Sequence, residues 1–219
     1  MRVTVIDYKA GNLTSVLKAL RHLGAEPVVT DSDLSLIESA ERIVLPGVGH
    51  FAATERLDAT GMTGSIREAV KRGVPFLGIC VGMQWLLGGS EEAPDQPGLG
   101  YFTGTCERFP EKVEKVPHVG WNRILPVVQP PSRLMAGVKQ TDGGEYAYFT
   151  HSYYVPFNAV QVHPSDIPEP ENVAASVTRY VINFASAVEH KNVFGVQFHP
   201  EKSGETGLKI LRNFLEWTC

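Results

Sequence analysis

The segment Gly78-Ile79-Cys80-Val81-Gly82 places a cysteine between two glycines, where an apolar run, Phe76 to Ile79, gives way to a helical one, Val81 to Leu87. A buried strand that turns sharply into a helix holds its corner residue in strained geometry, and flanking glycines remove the Cβ atoms that would clash. The thiol then projects from the carboxyl edge of the sheet, at the positive end of a helix, where thiolate is favoured. A lone cysteine in an apolar strand is more often a small buried hydrophobe. The glycines and the change of period at Cys80 reverse those odds. Cys106 and Cys219 lack such a setting and read as structural.

A nucleophilic sulfur needs a base. Phe198-His199-Pro200-Glu201 follows the last apolar run, and residues two apart in extended chain point to the same side. His199 and Glu201 can therefore face one site, with Pro200 fixing the backbone between them. In that arrangement the histidine takes the thiol proton and returns it to a leaving amine, while the carboxylate holds the ring's tautomer. The roughly 120 residues between sulfur and base are no obstacle, because such triads are defined by geometry rather than chain order. A histidine at a strand end is commonly a surface group. Of the seven here, only His199 has a carboxylate two residues away at the end of a buried strand.

Acyl transfer also needs N–H donors for the developing oxyanion. Val81, directly after the cysteine, offers one. Pro46-Gly47-Val48-Gly49, a turn at the end of a neighbouring strand, offers Val48 and Gly49 as further donors. Alone that turn means little; beside a cysteine elbow it gains weight.

The elements that must carry these residues are legible as alternation. Val3 to Asp7 is apolar on both faces, the mark of a strand covered on both sides. Asn12 can cap a helix whose Leu13, Val16, Leu17 and Leu20 share a face, ending at Gly24. Strands at Pro27–Thr30, Ile43–Leu45 and Phe76–Ile79 follow, with a helix from Ile66 to Arg72 between the last two. This order predicts an α/β fold: a doubly wound, mostly parallel sheet of flavodoxin-like core, flanked by helices. From Leu99 to Val188 the runs Arg123–Val128, Ala147–Val155, Val173–Val177 and Val181–Ala187 read as added antiparallel strands. The proline- and acid-rich stretch Pro156–Asn172 reads as an exposed loop. A last strand, Val193–Phe198, leads to a helix carrying Leu208, Leu211, Phe214 and Leu215. With no repeat or low-complexity tract, residues 1–219 read as one domain.

Bulk properties narrow the function. A net charge of −4 without a Lys/Arg-rich run argues against nucleic acid as the main partner. Three widely spaced cysteines form neither a disulfide framework nor a zinc pattern, which suits a reducing cytoplasm. No apolar run is long enough to span a bilayer, and the N-terminal run is not a signal peptide. No metal or cofactor is expected.

Taken in this order and spacing, Pro46–Gly49, Gly78–Gln84 and His199–Glu201 resemble the motifs of class I (triad-type) glutamine amidotransferases. The resemblance covers nearly the whole chain. It narrows to the glutaminase subunits of imidazole glycerol phosphate synthases through Asp7-Tyr8, Gly11-Asn12, His118–Asn122, Tyr148–Tyr153 and Gly195–Ser203. It implies that Cys80 attacks the side-chain amide of L-glutamine to form a γ-glutamyl thioester, with His199 as base and then acid, oriented by Glu201. Gln84, His151, Ser152 and Tyr153 would hold the amino-acid end of the substrate. Ammonia would pass to a (β/α)8-barrel cyclase subunit that makes imidazole glycerol phosphate and AICAR in histidine biosynthesis. Asn12, Trp121, Tyr148 and Lys202 would lie at or near that subunit. The resemblance further implies low activity until the partner is loaded, the Pro46–Gly49 backbone presenting either a carbonyl or an N–H to the oxyanion.

Two departures stand out: Lys9-Ala10 where the family often has a glycine after the tyrosine, and a longer Pro156–Asn172 stretch. Neighbouring readings are a glutaminase serving another class I amidotransferase, and a γ-glutamyl hydrolase or cysteine peptidase of the same fold. The His118–Asn122 and Tyr148–Tyr153 signatures argue against the first. A peptidase would act without a partner, so a substrate panel separates the second.

Overall fold

The computed structural model describes residues 1–10, 13–111, 114–127, 131–139, 144–157, 160–162 and 173–218. In chain order the first half contains β1 (Arg2–Ile6), α1 (Leu13–His22), β2 (Glu26–Thr30), α2 (Ser35–Glu38), β3 (Ile43–Gly47), α3 (Glu55–Ala59), α4 (Met62–Lys71), β4 (Phe76–Cys80) and α5 (Val81–Gln84). The second half contains β5 (Gly89–Ser90), β6 (Thr105–Arg108), β7 (His118–Pro126), β8 (Glu145–His151), β9 (Tyr153–Pro156), β10 (Ala174–Tyr180), β11 (Ile182–His190), β12 (Val193–Val196) and α6 (Gly204–Glu216).

The main sheet runs β2-β1-β3-β4-β12-β11-β10-β7-β8. Its first five strands are parallel, and the strands from β11 onward pair antiparallel. β3, β4 and β12 are buried at every residue, as strands covered on both faces must be. Of the stripe expected on α1, Val16 and Leu20 are buried, joined by Ala19, while Leu13 and Leu17 are partly buried. On α6, Ile210, Leu211, Phe214 and Leu215 are buried. The guanidinium of Arg42, just before β3, donates to the carbonyls of Leu215 (2.8 Å) and Trp217 (2.7 Å), satisfying acceptors that the end of α6 leaves open.

Three expectations are corrected. The helix after Cys80 stops at Gln84 instead of reaching Leu87, because the carbonyls of Trp85, Leu86 and Leu87 accept from Leu99, Phe102 and Gly100. Four residues make too short a stack of peptides for a strong helix dipole at Cys80. The single strand expected over Ala147–Val155 is two, divided at Ser152, whose carbonyl accepts from Phe109. Within the expected exposed loop, Val160 and Val162 are buried, and Val162 bridges Phe102. Residues 158–159 and 163–172 of that loop, with Gly11, Asn12 and Cys219, lie outside the described residues.

Candidate active site

Four parallel strands deliver their carboxyl ends to one rim. Tyr8 follows β1, Gly47 ends β3, Cys80 ends β4 and Gln197 follows β12, with Gly47 opposite Cys80 in register. Cys80 sits at φ 54°, ψ −108°, a left-handed conformation that a side chain adopts only under strain of about 1–3 kcal/mol. Close approach explains the glycines: a Cβ on Gly78 would stand 2.3 Å from the Gly82 carbonyl, and one on Gly82 would stand 1.9 Å from the Leu45 carbonyl. The elbow packs too tightly for any side chain there.

His199 and Glu201 meet as the sequence predicts. Nδ1 of His199 lies 2.9 Å from Oε1 of Glu201, both side chains being almost wholly buried. The segment is clamped to β8: the His199 N–H donates to the Tyr148 carbonyl (2.9 Å), while the Ser203 hydroxyl donates to the His199 carbonyl (2.6 Å) and accepts from the Tyr148 N–H (2.9 Å). Burial opposes protonation of the ring, but Cys80 and Glu201 outweigh it and raise its pKa to about 10. His199 stands two residues after Gln197, whose side-chain N–H reaches Cys80 Sγ at 3.5 Å, so sulfur, imidazole and carboxylate gather at one rim.

Buried polar atoms are nearly always paired. Here the Tyr8 hydroxyl, His199 Nε2 and Glu201 Oε2 are buried and make no hydrogen bond. All three belong to residues grouped around Cys80, which marks the rim as a place for a polar ligand. Burial, then the neighbouring Cys80 and Glu92, push the Tyr8 phenol upward. Glu92, which the sequence did not single out, accepts from the Phe51 N–H at 2.8 Å.

The other expected residues divide. Gln84 is buried, and its Nε2 donates both to the Tyr153 carbonyl (3.0 Å) and to Gln197 Oε1 (3.1 Å), leaving its own Oε1 to offer a ligand. His151 has both ring nitrogens engaged, Nδ1 on the Tyr153 carbonyl (2.7 Å) and Nε2 on His118 Nδ1 (3.1 Å). Its ring therefore has nothing left to give a substrate, and its place is in the wall. Val48 N–H donates to the Ala10 carbonyl at 3.1 Å, so the donor assigned to the oxyanion is engaged elsewhere in this conformation. Cys106 is buried, donates to the Gln84 carbonyl at 3.8 Å and, as expected, stands apart from the rim.

Two further features escaped sequence reasoning. Gln197 Nε2 donates to Cys80 Sγ at 3.5 Å. His118, paired with His151, is stacked between the Tyr180 and Phe149 rings, and burial lowers its pKa to about 4 and that of His151 to about 3. Of the residues expected at a partner, Trp121 and Tyr148 lie side by side on β7 and β8 with Lys202 over the Tyr148 ring, and Asn12 lies outside the described residues. Trp121 is 57% exposed, its ring lies 6.2 Å from that of Tyr148, and Lys202 Nζ lies 5.8 Å over Tyr148. Val119 and Tyr146 extend the patch. Among the described residues no cluster of His, Cys, Asp or Glu is set to hold a metal, and no helix is long and apolar enough to cross a membrane.

With this geometry in place, comparison assigns the class: the chain belongs to the class-I glutamine amidotransferases, whose family model matches residues 4–217. Two curated relatives and two solved structures stand beside that match. Among curated proteins it is similar to the imidazole glycerol phosphate synthase subunit HisH. It is 43% identical over 215 residues to that of Moorella thermoacetica, covering 98% of this chain and 94% of the relative. It is 44% identical over 218 residues to that of Thermococcus kodakarensis, covering 97% and 98%. A crystal structure of a glutamine amidotransferase shares the fold at TM-score 0.70 and 18% identity, covering 98% of this chain and 97% of that one. So does the structure of PurLQS from Thermotoga maritima, at TM-score 0.70, 19% identity and the same coverage.

Proposed function

We propose that this chain is the glutaminase subunit of an imidazole glycerol phosphate synthase in the cytoplasm, acting as one domain. The observation that carries the reading is the buried His199–Glu201 pair at the rim where Cys80 ends β4. Cys80 Sγ attacks the side-chain carbonyl of L-glutamine, forming the C–S bond and placing negative charge on oxygen. The N–H of Val81 meets that charge. His199, holding the sulfur's proton and steadied by Glu201, gives it to the departing nitrogen as the C–N bond breaks, releasing ammonia. Water then adds to the thioester with His199 as base, and the sulfur leaves with the bonding pair to give glutamate.

Gln84 Oε1, Ser152 and Tyr153 are the groups for the amino-acid end of the substrate. The patch of Trp121, Tyr148 and Lys202, with Asn12 beyond the described residues, is the face for a (β/α)8-barrel cyclase subunit. The Val48–Ala10 bond supports a partner-gated enzyme: Val48 N–H reaches the oxyanion only after leaving Ala10, and a partner that favours the released state switches catalysis on. The test is ammonia release from glutamine by the wild type and Cys80→Ser, with and without the loaded cyclase. The variant should lose glutamine-dependent turnover while its complex still runs on added ammonium salt. Equal rates with and without the cyclase would remove the gating.

A further inference from the structure

The buried amides behind the rim have only one consistent orientation. The Tyr153 carbonyl can only accept, so the Gln84 atom 3.0 Å from it is Nε2. That nitrogen's second contact, 3.1 Å away on Gln197, must then be an acceptor, which makes it Oε1. The other end of the Gln197 amide, 3.5 Å from Cys80 Sγ, is therefore the nitrogen, a donor with no capacity to accept. The chain of deductions starts at a carbonyl also held by His151 Nδ1 at 2.7 Å, so its anchor does not turn.

We propose that Gln197 is a catalytic residue, its side-chain N–H donating to the sulfur of Cys80 and stabilising the charge that the sulfur carries before attack and again on leaving the thioester. Gln197 is fully buried, and its backbone N–H is fixed to the Ser186 carbonyl at 2.9 Å, so the amide is preorganised and shielded from water. A hydrogen bond to a charged acceptor in such surroundings is stronger than one to a neutral thiol. Besides Gln197, the polar contact of the sulfur among the described residues is the Thr150 carbonyl, which accepts from the thiol at 4.0 Å and would repel an anion. Without Gln197 an ionised sulfur would face that carbonyl with the imidazole as its one counterweight. The inference rests on the reading of Cys80 as nucleophile.

The test follows alkylation of Cys80 by iodoacetamide in the full chain, the labelled peptide identifying the site, at pH 7 and pH 10. Gln197→Glu keeps an acceptor for Gln84 and turns a carboxylate toward the sulfur; Gln197→Met removes donor and acceptor at similar length. Alkylation at pH 7 should slow about tenfold in either folded variant and recover toward the wild-type rate at pH 10. A role limited to packing would lower both rates together or neither, and that result overturns the inference.

If neither variant folds, the wild type decides. The side-chain 15N–1H signals of Gln197 should shift as Cys80 ionises and cease to shift in Cys80→Ala; signals indifferent to that titration would overturn the proposal. Cys80→Ala that still releases ammonia from glutamine would instead defeat the glutaminase reading, leaving the alkylation result to judge the Gln197–Cys80 bond by itself.

Discussion

Val48 gives its backbone N–H to the carbonyl of Ala10 at 3.1 Å, across the gap between the turn after β3 and the loop after β1. That loop is held by Lys9, whose φ of 64° is one that glycine would adopt without strain, and whose ammonium pairs with Asp7 (3.1 Å) and Asp31 (2.8 Å). Under the proposed gating, this exposed ionic clasp steadies the loop whose Ala10 carbonyl holds the Val48 N–H. Exposed pairs of this kind hold weakly. Asp31→Asn should raise partner-free ammonia release about two- to fivefold, leaving the rate with loaded cyclase unchanged. An unaltered partner-free rate would separate the clasp from the gate.

Gly47 is fixed by its surroundings. A Cβ there would meet the Tyr8 hydroxyl at 2.0 Å and Val81 Cβ at 2.8 Å. Gly47→Ala should cut glutamine turnover more than tenfold, by displacing the residues that flank Cys80. Adding Tyr8→Phe removes the nearer contact and should restore part of the loss; no restoration would mean that the Val81 contact alone dominates.

Glu201→Gln keeps the size of the side chain but presents a group that can hold the ring in the wrong tautomer. By analogy with other triads, kcat for glutamine should fall about 10³–10⁴-fold. Ammonium-dependent synthesis by the complex should stay within twofold of wild type, which a collapsed fold could not achieve.

The His118–His151 pair gives the fold a pH dependence. Both rings are held neutral, with pKa values lowered by burial to about 4 and about 3, against about 6.5 in an unfolded chain. Above pH 6.5 neither state binds these protons and the pair contributes no slope. Below it the unfolded chain takes up protons that the fold refuses, so stability falls by about 1.4 kcal/mol per pH unit for each proton until the folded values are approached. Melting midpoints between pH 7 and 4 should therefore drop less in His118→Gln than in the wild type.

Trp121 is large, apolar and more than half exposed beside Tyr148, which is how an interface anchor looks before its partner arrives. Trp121→Ala should weaken association with the cyclase subunit tenfold or more and change unfolding free energy by less than about 0.5 kcal/mol. Equal affinity of the two proteins, measured by titration calorimetry, would move the interface elsewhere.

How far the sequence speaks depends on whether a signal is local. The elbow at Cys80 is announced by its own glycines, and the His199–Glu201 pair by a two-residue spacing, so each local geometry was legible where it stands. Gln197 was not, because its meaning arises only when β12 lies beside β4 and brings the amide under the sulfur. The pairing of His151 was hidden for the same reason: its ring meets His118, from the neighbouring strand in the register His118 opposite His151. The short α5 was hidden too, since the groups that end it come from residues 99–102. The parallel half of the sheet was legible from its all-apolar runs, whereas the irregular connections, shaped by distant backbone partners, were not.

Tyr148 turns one side of its strand outward, under Lys202, while its own peptide groups grip the segment that bears the His199 imidazole. A protein settling on that aromatic ring would bear down on a girder joined to the His199 segment by two hydrogen bonds. Binding from outside and tuning of the base thus need no long route through the interior; the thickness of one β-strand separates them.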